Sequence, residues 1–148
     1  YANSNKGILI EFNENHPFFL KSDIKTNNPD FDEYYGRPIS VMYRKNRPSL
    51  NYFEKTPPEL FLTKSIEWAY EEEYRMIMPL DLADKVINEN IFLFKIPFEA
   101  ILSIRFGIKF DENNKNTIIS KVRLYNPNIK VFNSYLSEKY YEIEFEEC

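Results

Sequence analysis

The segment Tyr141-Glu142-Ile143-Glu144-Phe145-Glu146 alternates apolar and acidic residues without a break, the clearest period of two in the chain. Successive side chains of an extended strand point to opposite faces, so this pattern predicts a strand with one buried face and one wet acidic face. It calls for a sheet with something packed on one side. It also makes the C-terminal glutamates a solvated strand face and not a metal cluster.

Other short runs fit that sheet. Gly7–Phe12, Ile39–Tyr43, Ile91–Ile96, Ala100–Phe106 and Ile129–Phe132 are apolar and rich in β-branched residues, which predicts strands. Pro38 suits a strand start, where a missing N–H costs least. Glu73–Met78 reads as extended up to Pro79. Two segments carry helical spacing. Leu60, Leu62, Ile66, Ala69 and Tyr70 predict a helix from about Pro58 to Tyr70, with a break near Thr63–Ser65, and Pro57-Pro58 marks its start. Ile118, Ile119 and Val122 predict an amphipathic helix over Asp111–Leu124 with Asp111 as its N-cap. Asp81–Asn88 is a short helical or irregular connector, and Asn13–Asp32 a loop with packed aromatics. The expected fold is α+β, a mainly antiparallel or mixed sheet with about two helices, in a single domain over residues 1–148.

Composition removes whole classes of chemistry. The chain of 148 residues has three glycines, Gly7, Gly36 and Gly107, too far apart for a phosphate-cradling loop, so Rossmann and P-loop chemistry are excluded. His16 is the only histidine and Cys148 the only cysteine, so no intrachain disulfide and no Cys-rich zinc site can form. The lone cysteine points to a reducing, cytoplasmic setting. No apolar run approaches the roughly 18 residues of a membrane span. A net charge of −4 gives no broad face for nucleic acid. The chain opens at Tyr1 without an initiator Met and soon enters an apolar run, which reads as a fragment lacking an upstream part.

Chemistry concentrates in Lys64-Ser65-Ile66-Glu67-Trp68-Ala69-Tyr70-Glu71-Glu72-Glu73-Tyr74-Arg75, which holds the only tryptophan. On a helix Glu71 and Arg75 would stand four apart and pair. On a strand Glu71, Glu73 and Arg75 would share a face. Either way two carboxylates meet a guanidinium beside large aromatics, making Glu71, Glu73 and Arg75 the candidate catalytic residues. The same set reads equally as a structural Arg–carboxylate fork, with Trp68 and Tyr70 mostly buried in the core.

A second candidate is basic. Arg37, Arg44, Lys45, Arg47 and Lys55 stand against one acid, Glu54, and are interleaved with Tyr34, Tyr35, Tyr43 and Tyr52. Cations among aromatics suit a nucleotide, another anionic small molecule or the pyrophosphate of NAD. The candidate ligand-binding residues are Arg37, Tyr43, Arg44, Arg47 and Lys64. A solvated loop accounts for the same residues.

Three blocks carry a family resemblance. Tyr1-Ala2-Asn3 with Lys6-Gly7-Ile8 and Glu11-Phe12 is the first. Lys64, Trp68-Ala69-Tyr70-Glu71, Glu73, Tyr74 and Arg75 form the second, and Ile104-Arg105-Phe106-Gly107 the third. In this order they resemble the bacterial family called domain of unknown function 2971. Tyr74 departs from that family's usual Trp, and Asn5 from its commoner His. The resemblance implies an uncharacterised bacterial domain with an upstream extension and no settled chemistry. The run from Glu71-x-Glu73 into Tyr74–Pro79 is also similar to the last motif of ADP-ribosyltransferases. There the second glutamate binds the nicotinamide ribose and stabilises the positive charge that develops as nicotinamide leaves, a role that falls on Glu73. The alternative is a non-catalytic binding or accessory module, for example in a defence or toxin system.

Overall fold

A computed structural model describes residues 4–21, 24–25, 29–48 and 58–148. The chain divides into two compact units, one made of residues 1–16 and 96–148, the other of residues 17–95.

The first unit is a four-stranded mixed sheet with one α-helix. Its strands are β1 (Ile8–Phe12), β8 (Ile101–Phe106), β9 (Lys130–Leu136) and β10 (Ile143–Glu147), in that spatial order. β1 runs antiparallel to β8, β8 parallel to β9, and β9 antiparallel to β10. A parallel pair needs a crossover, and helix α1 (Glu112–Tyr125) supplies it. Asp111 caps α1 as expected, its carboxylate accepting the Asn114 N–H at 2.8 Å. Ile118, Ile119 and Val122 pack on Ile104, Phe106, Ile129 and Val131, the core of this unit.

Register explains one departure from expectation. β10 is an edge strand, and Phe145 pairs with Ser134 while Glu144 pairs with Tyr135. Phe145 therefore shares a face with Arg105 and Phe132, opposite the face that α1 covers. Ile143 and Phe145 are 43% and 42% exposed, whereas Glu144 is half-buried. The expected buried apolar face and wet acidic face of this segment are not realised. Ser137 and Tyr135 donate to the Glu144 carboxylate and hold its pKa below the ordinary value.

Among the described residues, the strands of the second unit form three two-stranded pairs. β2 (Pro38–Ser40) is antiparallel to β5 (Tyr74–Met76), β3 (Met42–Arg44) is parallel to β4 (Thr63–Ser65), and β6 (Lys85–Ile87) is antiparallel to β7 (Ile91–Leu93). The run Ile39–Tyr43 is thus split at buried Val41 between two partners. The expected helix over Pro58–Tyr70 is absent. In its place stand a 3-10 turn Pro58–Leu60, the strand β4 and a 3-10 helix Ile66–Glu71. The apolar spacing there matched an α-helix, but backbone pairing with β3 takes Thr63–Ser65 into a strand. α1 is thus the only α-helix among the described residues, and the remaining helical segments are short 3-10 turns. The β6–β7 hairpin turns through Asn88 and Glu89, both at positive φ (49° and 60°), and the Asn90 N–H donates to the Ile87 carbonyl at 3.3 Å.

Candidate functional site

Lys64, Glu71, Glu73 and Arg75 converge in the second unit, and the backbone explains how. The 3-10 helix Ile66–Glu71 ends at Glu72, which adopts the left-handed conformation (φ 46°, ψ 45°) and donates its N–H to the Ala69 carbonyl. That reversal separates Glu71 from Glu73 and lets both carboxylates reach one lysine. Glu73 is then fixed on both sides of its backbone. Its N–H donates to the Tyr43 hydroxyl at 2.8 Å, and its carbonyl accepts the Val41 N–H at 2.9 Å. Tyr43 and Lys64 are register partners in the parallel pair β3–β4 and so share a face.

The side chains complete a network. Arg75 grips Glu73 with two donors, Nε to Oε1 at 2.6 Å and Nη2 to Oε2 at 3.1 Å. Glu73 and Arg75 are two apart on extended chain, so they lie on one face. Arg75 Nη1 donates to the Phe61 carbonyl at 2.5 Å. Lys64 Nζ donates to Glu73 Oε2 at 3.1 Å and also to Glu71 Oε2. Its ammonium lies 5.1 Å from the Trp68 ring centroid, within cation–π range.

Opposite charges shift the titrations in the expected directions. Hydrogen bonds from Arg75 first, then Lys64, lower the Glu73 pKa to about 2. The bond to Glu71 is the main cause of the raised Lys64 pKa. Glu73 is therefore a carboxylate at neutral pH. The network is not sealed, since the side chains of Glu73 and Arg75 are 29% and 34% exposed.

Trp68 and Tyr70 do not lie in the core. They are 44% and 57% exposed, with ring centroids 6.1 Å apart. The expectation of burial assumed α-helical spacing from Ile66. In the observed 3-10 helix with three residues per turn, no residue is buried. The sequence signal that marks this exposed pair is the crowding of Trp68, Tyr70 and Tyr74 around the carboxylates. The Phe61 carbonyl, a backbone acceptor, leaves no such signal.

The proposed ligand-binding residues separate. Tyr43 and Lys64 belong to the network. Arg44 follows Tyr43 on β3 and so turns to the other face, where its Nη2 lies 3.5 Å from the Met42 sulfur. Arg47 and Lys45 are exposed beyond β3. Arg37 lines a different cleft of about 580 Å³ with Lys21, Lys25, Asp32 and Tyr35. Lys25 there pairs with Asp32 at 3.8 Å. Tyr52, Lys55, Glu54 and the opening Tyr1-Ala2-Asn3 lie outside the described residues. Among the described residues there is no group of three or more metal-ligating side chains. None of their helices is long and apolar enough to cross a membrane.

A family model described as protein of unknown function (DUF2971) matches residues 1–76, which include the whole Lys64–Arg75 network. The chain belongs to that family. No curated protein and no solved structure matches it.

Proposed function

We propose that this member of the DUF2971 family binds a nucleotide-like small molecule of the NAD type at the Lys64–Glu71–Glu73–Arg75 network. The observation that carries the reading is Glu73. It is held ionised by two cations and fixed through its backbone, yet remains part-exposed, and its partner Lys64 lies against the half-exposed Trp68 indole. A side chain positioned this firmly and still open to solvent is suited to a ligand.

The donor and acceptor inventory supports it. A carboxylate offers about four acceptor positions, and Glu73 uses three. The remaining one, with those of Glu71, can take ribose hydroxyls. Lys64 keeps one ammonium proton and Arg75 two guanidinium protons beyond the bonds described above, donors for a phosphate. The half-exposed Trp68 indole offers a ring face to a base, a contact worth about 1–3 kcal/mol.

Catalysis of ADP-ribosyl transfer is a second reading, favoured by the placement of Glu73 at the entry to β5. In it Glu73 would stabilise the oxocarbenium-like charge as nicotinamide departs. Two cations already neutralise that carboxylate, which weakens it as a stabiliser of positive charge. Binding without turnover is therefore preferred. Calorimetric titration with NAD, together with chromatography for released nicotinamide, tests both. Saturable binding without nicotinamide release supports the binding reading. Release at a rate proportional to protein supports the transferase reading, and absence of any heat contradicts both.

A further inference from the structure

Glu11 and Arg105 stand 94 positions apart in the chain and meet on the sheet of the first unit. Both lie in the sequence blocks that the second unit's network leaves unused. Arg105 Nη2 donates to Glu11 Oε2 at 2.8 Å, and Ser103 Oγ donates to the same oxygen at 2.6 Å. Ser103 is 1% exposed. The guanidinium lies over two rings, 5.5 Å from the Phe132 centroid and 4.8 Å from that of Phe145. Its Nε is buried without a partner among the described residues. Keeping a buried donor unsatisfied is costly, and what the arrangement secures is the position of one carboxylate. Glu11 Oε1 takes no hydrogen bond among the described residues, and the side chain is 41% exposed.

That carboxylate lines a cleft of about 610 Å³ within the first unit, together with Glu99, Asn126, Asn128 and Lys130. Small-molecule sites span about 300–1,000 Å³. The lining carries two acidic groups, Glu11 and Glu99, against two basic ones, Arg105 and Lys130, so its formal charge sums to zero. An anion would face two carboxylates there, and a cation two basic groups. A neutral ligand meets neither penalty. Asn126 spends its Nδ2 donors on the Phe98 and Ile101 carbonyls at 3.2 and 3.4 Å, which leaves its Oδ1 as an acceptor. Acceptors on Glu11 and Asn126 therefore stand with donors on Asn128 and Lys130, while Ile101, Leu102 and Phe132 add apolar surface to the lining. A hydroxyl both donates and accepts, and a sugar ring adds an apolar C–H face. We infer that this cleft binds a neutral ring with vicinal hydroxyls, a pyranose or a nucleoside ribose, through Glu11 and Asn128. This inference is independent of the site in the second unit.

Amide-resolved NMR of the intact chain tests it, with methyl glucoside and adenosine as separate probes up to about 20 mM, above a millimolar Kd. Saturable shifts confined to residues 99–105 and 126–132 are expected for at least one probe, and which one responds distinguishes pyranose from ribose. Glu11→Gln should weaken that binding about tenfold, the effect of one lost hydrogen bond. Asn128→Ala, on the exposed rim, should weaken it as well and serves where Glu11→Gln fails to fold. No saturable shift with either probe, or affinity unchanged in both variants, overturns the inference.

Discussion

Glu73 and Arg75 form a two-pronged ion pair across a separation of only two residues, with oxygen–nitrogen distances of 2.6 and 3.1 Å. Extended backbone is the reason, because it places alternate side chains on one face, and β5 begins between them. The pair, together with Lys64, keeps the Glu73 carboxylate ionised far below neutral pH.

A pH dependence follows from that pair. The Glu73 pKa is about 2 in the folded chain against an ordinary 4.5. As pH falls below 4.5 the unfolded chain binds this proton first, which favours unfolding. The stabilisation is fully present above 4.5 and disappears as pH falls through about 2. Thermal melts across this window should show a steeper loss for the wild-type chain than for Glu73→Gln. Parallel curves for the two proteins would separate Glu73 from acid stability.

Trp68→Ala should destabilise the chain by only about 1–2 kcal/mol, below the roughly 3–5 kcal/mol of a buried aromatic. The indole is 44% exposed, and its contacts include Lys64 and Tyr70. Denaturant unfolding measures the cost, and a loss above about 3 kcal/mol would place the ring in a core.

Gly107→Ala should be more damaging than its size suggests. A Cβ at Gly107 would lie 2.3 Å from the Asn5 carbonyl oxygen and 3.0 Å from that of Gly7. Both are backbone atoms, tied by the Gly107 N–H to Gly7 and the Lys109 N–H to Asn5 bonds. Overpacking against rigid backbone costs about 1–3 kcal/mol, and a melting temperature equal to wild type would show that the N-terminal crossing yields.

Legibility in the sequence followed the range of the interactions. β1, β8 and α1 were readable because β-branched runs and an Asp cap are local signals, and they appear within one residue or so of expectation. Over Pro58–Tyr70 the residues Leu60, Leu62 and Ile66 imitate a helix, while the pairing of Thr63–Ser65 with Met42–Arg44 is tertiary and leaves no local mark. The hold of Arg75 on Glu73 is legible as strand spacing, whereas that of Lys64, nine residues away, is not. The left-handed Glu72 that brings Glu71 to Lys64 is not legible either, since nothing in a run of three glutamates singles out the middle one. The meeting of Glu11 with Arg105 depends on strand order and was invisible for the same reason.

The most direct test of the central claim compares NAD affinity and melting temperature in the intact wild-type chain and in Glu73→Gln. The amide preserves shape and removes the charge that Arg75 and Lys64 hold in place. The variant is expected to melt cooperatively, at a somewhat lower temperature at neutral pH, and to bind NAD about tenfold or more weakly. A lower melting temperature with unchanged NAD affinity, or a wild-type chain that binds no NAD, would contradict the central claim and leave the network as a structural fork.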